Sequence, residues 1–139
     1  MTVRYFLDTN VLVYAAIGTE VDDWKRKRAL DLMLPANFGT SGQVLQEFFV
    51  TVTRKGKRPL SLIDAAYWVE RLAILPLVPT DATLVKLAIQ AVQRHQVSYW
   101  DGAIIAAAEM LGAPILYTED LNHGQAYGSV KAINPFRPA

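Results

Sequence analysis

Two short apolar runs, each ended by acid, constrain this chain more than any other feature. Val3 to Leu7 stops at Asp8, and Pro114 to Thr118 stops at Glu119-Asp120. Short apolar runs bounded by polar breaks read as buried strands. Between them lie five stretches of helical length: Asp22 to Leu34, Gln43 to Lys55, Ser61 to Leu75, Asp81 to Gln96 and Trp100 to Leu111. Shorter strands are expected at Asn37 to Thr40, Pro76 to Val78 and Val130 to Ile133. Strands alternating with helices predict an α/β architecture, a central parallel sheet covered on both faces.

Helix punctuation agrees with this reading. Ser61 precedes Leu-Ile-Asp64 and Ser98 precedes Tyr-Trp-Asp101, each a hydroxyl followed three residues later by an acid, which is the capping-box pattern. Gly56 and Gly112 stand where glycines end helices. The tail Asn134 to Ala139 carries two prolines and is expected to be a surface strap.

Composition narrows the function classes. At 139 residues one compact domain is expected, and 52% hydrophobic side chains exclude global disorder. Asp8 and Glu109 interrupt the apolar stretches short of the ~18 residues a membrane helix needs, and the first run lacks the features of a secretory signal. No membrane association and a cytoplasmic location are therefore expected. The absence of cysteine removes disulfides, zinc-thiolate sites and thiol nucleophiles. His95 and His123 are isolated and read as a helix C-terminal residue and a turn residue.

The net charge of +1 hides a pattern, because eight of the 14 basic residues fall in two runs, Lys25 to Arg28 and Arg54 to Arg58. These are either phosphate-binding edges or solvated helix ends. Four carboxylates stand where a carboxylate is costly. Asp8 and Asp120 follow strands, where ligands of parallel sheets gather, although capping or an Asx turn would also account for them. Asp101 opens a stretch that is otherwise almost wholly apolar, and a helix of that kind is buried. Gly102, worth about 1 kcal/mol less than alanine in a helix, makes sense if something approaches its backbone. Glu47 falls on the flank of its helix, beside Val44, Val50 and Thr51. Four acids brought together would repel one another, and a divalent cation resolves the conflict. Oxygen donors without cysteine favour Mg²⁺ or Mn²⁺, ions that typically act on phosphate.

The ordered set Leu7-Asp8-Thr9-Asn10-Val11-Leu12, Ser41 with Glu47, Ser98-Tyr99-Trp100-Asp101 and Thr118-Glu119-Asp120 resembles the PIN-domain ribonucleases, and more narrowly the VapC-type toxins of bacterial toxin–antitoxin pairs. The resemblance implies a single PIN-like domain over residues 1–139, a three-layer sandwich with a central parallel sheet flanked by helices. It implies Mg²⁺- or Mn²⁺-dependent hydrolysis of RNA phosphodiester bonds. Asp8 and Asp101 would be central metal ligands, with Glu47 and Asp120 completing the acidic cluster, and Glu119 stands beside Asp120 as a second candidate for the last acid. Asn10 and Thr118 match bracing positions. Lys25, Arg26, Arg54, Lys55 and Arg58 would hold the RNA backbone, with Tyr99 or Trp100 as stacking surfaces. The family further implies a homodimer and a small cognate antitoxin.

Two alternatives are set beside this reading. An aspartate-nucleophile phosphatase would use Asp8 covalently but wants a second aspartate at the position of Asn10. A non-catalytic PIN-like module would bind RNA or protein without cutting.

Overall fold

In the computed structural model of the chain, residues 3–18 and 23–137 are described. Six strands form one sheet: β1 (Tyr5–Leu7), β2 (Phe38–Ser41), β3 (Leu77–Val78), β4 (Ile115–Tyr117), β5 (Ala126–Tyr127) and β6 (Val130–Ile133). Their order is β3-β2-β1-β4-β6-β5. All neighbouring pairs are parallel except β5 with β6. Six helices connect them: α1 (Thr9–Ile17), α2 (Trp24–Met33), α3 (Gly42–Val52), α4 (Leu62–Leu72), α5 (Ala82–His95) and α6 (Tyr99–Met110). On one side α1 packs on α2 and α3, and α3 packs on α4; α5 and α6 pack on each other, and α6 lies along β2, β4 and β6. The expected layered arrangement, a mostly parallel sheet between helices, is what the chain adopts.

Sequence chemistry explains the elements. Phe6, Leu7 and Leu116 in the central strands are completely buried. The capping boxes form as expected, with Ser61 Oγ accepting from the Asp64 amide and Ser98 Oγ from the Asp101 amide, each at 3.1 Å. Within α6, residues Gly102 to Ala108 are all buried. Gly102 lets α5 come close, since a Cβ there would stand 2.8 Å from the Ala88 carbonyl oxygen and 2.9 Å from Val92 Cγ2. The close approach foreseen at Gly102 is therefore a neighbouring helix and not a ligand.

Four details differ from the sequence reading. The run after Asp8 is helix α1, apolar on nearly every side because it is covered by α2 and α3. In α3 Val44, on the flank it shares with Glu47, is itself buried, in a stripe with Phe48 and Val52. Strand β5 was not expected, being an edge pair of two residues too short to show a period. The tail is less superficial than a strap. Phe136 is buried edge-on against Tyr14, with ring centroids 4.9 Å apart, and faces Trp24 at 6.3 Å. Asp22, the expected start of α2, and the last two tail residues lie outside the described residues. No helix among those described is long and apolar enough to cross a membrane.

Candidate acidic site at the carboxyl edge of the sheet

The chain runs outward from β1 through β2 to β3 on one side, and β4 lies on the other side of β1. The sheet thus changes direction between β1 and β4, and crevices at such switch points, outside the carboxyl ends of the strands, are where ligands bind. Register decides what stands there. Phe6 pairs with Leu116 and Gly39 in adjacent strands, so one step past Leu7 brings Asp8, Thr118 and Ser41 abreast.

Asp8 is buried, with 7% of its surface exposed, and its two carboxylate oxygens have different partners. Oδ1 accepts from the Thr9 amide at 2.7 Å, capping α1, and Oδ2 accepts from the Thr118 hydroxyl at 2.8 Å. The Thr118 hydroxyl in turn accepts from the Asp120 amide at 3.1 Å. A single buried hydroxyl therefore ties the acid after the first strand to the loop carrying the acid after the fourth. Burial, and then the charges of Asp120 and Glu47, push the Asp8 carboxyl up to about 6, against the pull of its hydrogen bonds to Thr118 and Thr9. The Asp120 carboxyl is raised too, first by burial and then by Asp101, Glu119 and Glu47. The four acids named from the sequence thus share one electrostatic neighbourhood.

Each is held by its own local device. Asp101 sits in the first turn of α6 through the Ser98 cap. Glu47 projects from α3 and is exposed, its Oε1 accepting from Gln43 Nε2 at 2.8 Å. The largely buried Gln43, one helical turn earlier, escaped the sequence reading although its i, i+4 spacing to Glu47 was there to find. Tyr14 was missed as well. Its hydroxyl donates to Glu119 Oε1 at 2.6 Å while Lys25 Nζ pairs with Glu119 Oε2 at 2.9 Å. Lys25 also lies 4.8 Å from the centre of the Tyr14 ring, and its pKa is raised, chiefly by the Glu119 hydrogen bond. Glu119 is thus neutralised by a cation, whereas Asp120 faces the other acids.

The remaining named residues fall around this centre. Asn10 is half-buried in the first turn of α1. Arg26, Arg54, Lys55 and Arg58 are exposed. Trp100 is 66% exposed beside Asp101, with Tyr99 packed edge-on against it. His95 ends α5, and His123 Nδ1 accepts from the Asn134 amide, as structural residues.

The donor set fits a hard divalent cation in kind. It consists of carboxylates, two of which, Asp8 and Asp120, are raised by burial and then by neighbouring acids, and each bonded Asp8 oxygen keeps a second lone pair. Their spacing is open, since no three acidic or histidine side chains among the described residues stand as a ready-made metal cage.

A family model described as PIN domain matches residues 5–128. The chain belongs to the PIN-domain family. No curated protein matches the sequence significantly. Among solved structures this PIN domain is similar to VapC20 of Mycobacterium tuberculosis, described as a sarcin-ricin loop cleaving toxin, at 22% identity and a TM-score of 0.64 over 84% of this chain and 89% of that one. It is also similar to a toxin–antitoxin complex from Klebsiella pneumoniae, at 15% identity and a TM-score of 0.71 over 96% and 99% of the two chains. FitAcB from Neisseria gonorrhoeae shares 19% identity with a TM-score of 0.62 over 96% and 99%. At these identities the likeness is one of fold.

Proposed function

We propose that this PIN domain is a metal-dependent endoribonuclease and the toxin of a toxin–antitoxin pair, with Asp8, Glu47, Asp101 and Asp120 as its acidic centre. The observation that carries the reading is the Thr118 hydroxyl that joins buried Asp8 to the Asp120 loop at the switch point of the sheet, where both carboxyls are raised first by burial and then by neighbouring acids. A divalent cation, Mg²⁺ or Mn²⁺, supplies Lewis-acid stabilisation of the charge that builds on a phosphodiester during attack by water.

The chain's own residues supply the rest. Asp8 and Asp101 are the ligands proposed to be central, with Glu47 and Asp120 alongside. Asp8 must shed its proton before it can ligate, so its raised pKa makes cation affinity climb as pH passes through about 6. The Thr118 hydroxyl fixes the rotamer of Asp8 and the path of the 118–120 loop together. Gln43 steadies the Glu47 carboxylate by its hydrogen bond. Of the two neighbouring acids in that loop, Asp120 is the better ligand because the Glu119 charge is already spent on Lys25. The same pairing makes Lys25 a brace for the loop more than a free hand for RNA. A covalent role for Asp8 fits less well, as Asn10 stands where the aspartate-nucleophile pattern needs a second aspartate.

Support for the partner half of the reading comes from the likeness in fold to a toxin–antitoxin complex and from exposed apolar side chains on and after α4. Ile63, Tyr67 and Ile74 are 82%, 58% and 79% exposed, the kind of surface that a protein partner or a second copy covers. An antitoxin and a homodimer are proposed on that basis. The test is incubation of the purified, antitoxin-free chain with structured and single-stranded RNAs in Mg²⁺, Mn²⁺ or EDTA, with Asp8→Asn as control. Cleavage that requires both metal and Asp8, leaving 5′-phosphate and 3′-hydroxyl ends, is expected. Cleavage that survives EDTA or Asp8→Asn would overturn the proposal.

A further inference from the structure

Stretches far apart in the chain close around one positive charge beside the acidic centre. Lys25, in the first turn of α2, reaches Glu119 at 2.9 Å, and Tyr14 of α1 donates to the other oxygen of the same carboxylate at 2.6 Å. The C-terminal tail joins them after β6. Its Phe136 is 4% exposed, with its ring 4.9 Å from that of Tyr14 and nearly perpendicular to it. The Lys25 ammonium lies 4.8 Å from the centre of the Tyr14 ring and 5.5 Å from that of Phe136. One cation is therefore shared between a carboxylate and two aromatic rings.

The tail is fastened for this. Asn134 Oδ1 accepts from the Phe136 amide at 2.9 Å, an Asx turn. Arg28 Nε donates to the Pro135 carbonyl at 3.3 Å, and the Asn134 amide donates to His123 Nδ1 at 3.0 Å, so the tail is tied both to α2 and to the loop that follows Asp120. An aliphatic side chain would fill the space beside Tyr14 as well; only a ring also attracts an ammonium, more strongly once water is excluded. A buried Phe136 thus favours the Lys25 rotamer that lies against the rings. A lysine without that restraint samples many rotamers on its flexible stem, and these carry the ammonium away from Glu119. Glu119 directly precedes Asp120, whose amide is tied to Thr118, so freedom at Glu119 passes to the segment that presents Asp120.

We infer that Phe136 is a positioning residue of the acidic centre: its ring, with that of Tyr14, holds the Lys25 ammonium on Glu119 and so fixes the loop that carries Asp120. The part of the inference that concerns cation binding rests on the nuclease reading above; the part that concerns the loop does not. It gives the C-terminal tail a task at the opposite side of Glu119 from the acids, although no tail residue is itself one of them.

The test uses the full chain and reads Mn²⁺ affinity by electron paramagnetic resonance of the free ion, amide hydrogen exchange over residues 118–122 by mass spectrometry, and metal-dependent RNA cleavage. Phe136→Leu keeps an apolar side chain in place and removes the ring; Lys25→Met keeps the stem and removes the charge. Loss of a group that orients a metal ligand costs roughly 10–100-fold in affinity, and Phe136 stands further out, so each substitution is expected to weaken Mn²⁺ binding about threefold. Each is also expected to speed exchange over 118–122. Because both act through one ammonium, the double variant is expected to match the single ones and not to multiply their losses. Lys25→Arg, which keeps the charge, is expected to bind Mn²⁺ as wild type does. Leu72→Ala, a buried position in α4, lowers stability by packing alone and is expected to change neither Mn²⁺ affinity nor exchange over 118–122. Wild-type values of both in Phe136→Leu, an equal change in Leu72→Ala, or multiplied losses in the double variant would each overturn the positioning role. If Phe136→Leu does not fold, Lys25→Met, whose side chain is 26% exposed, decides: wild-type exchange over 118–122 in that variant overturns the role. Absence of both Mn²⁺ binding and cleavage in the wild-type chain would overturn the nuclease reading alone, and the exchange measurement would still decide whether the tail holds the loop.

Discussion

At the residue scale, Asp8 carries two opposed jobs. It caps α1, which stabilises, and it buries an ionisable group among like charges, which does not. Its carboxyl is pushed up to about 6 in the fold, against an unfolded value near 3.9. Stability from this group is therefore fully present below about pH 4 and is lost as pH rises through about 6, worth about 3 kcal/mol across the window. Asp8→Asn retains an oxygen for the Thr9 amide and removes the charge. In EDTA the variant should match wild type near pH 4 and exceed it at pH 7.5, the melting temperature gaining several degrees. Its cleavage rate should fall roughly a hundred- to a thousandfold or more. Lower stability at both pH values would show that capping outweighs repulsion. The paired acids of the last loop make a second test. Asp120→Asn should abolish cleavage, whereas Glu119→Gln, which weakens a partly buried ion pair with Lys25 but keeps an oxygen for the Tyr14 hydroxyl, should cost about 1 kcal/mol of stability and less than tenfold in rate. Comparing the two variants by thermal melts and single-turnover assays decides which acid serves. From sequence they were equivalent neighbours; what distinguishes them is Tyr14 and Lys25, distant in the chain and close only after folding.

At the element scale, the helices with strong caps and one apolar face were legible, as α4 and α5 show. Helix α1 was harder, because an apolar stretch buried on most sides has no period to read. Strand β5 has only two residues and a single neighbouring strand, and no local pattern announces it. Gly102 was legible as an oddity but ambiguous in cause. The cause is the α5–α6 contact, and it makes a test at this scale. Gly102→Ala would gain roughly 1 kcal/mol of helix propensity, yet its methyl would meet the Ala88 carbonyl oxygen at 2.8 Å. A backbone atom cannot step aside cheaply, so net destabilisation of about 1–3 kcal/mol is expected in chemical denaturation. Because Asp101 is the preceding residue, cleavage should weaken in the same variant; unchanged stability would mean that the two helices slide apart freely.

At the scale of the whole molecule, the order of motifs along the chain was readable and their meeting point was not. Nothing local in Asp8, Glu47, Asp101 or Asp120 says that they converge. Parallel register between β1 and β4 brings Asp8 abreast of Thr118, and the influence of Glu47 and Asp101 on the carboxyls there places those two acids in the same neighbourhood. The acids remain too far apart among the described residues to form a finished cage, so cation binding should draw them together and stabilise the fold as a unit. Millimolar Mg²⁺ or Mn²⁺ is expected to raise the melting temperature of wild type, by the equivalent of about 2.7 kcal/mol at a hundredfold excess over Kd. The same addition should do little for Asp8→Asn. An equal rise in both would place the cation elsewhere.

The hydrogen bond from Thr118 to Asp8 spans 110 positions of the chain. A growing polypeptide still on the ribosome holds the first acid long before it holds the hydroxyl that orients it or the last acid beside it. On the proposed reading, the acidic centre can therefore assemble only once residues 118 to 120 have been made, and a nascent chain short of that point carries its first acid without the hydroxyl that orients it.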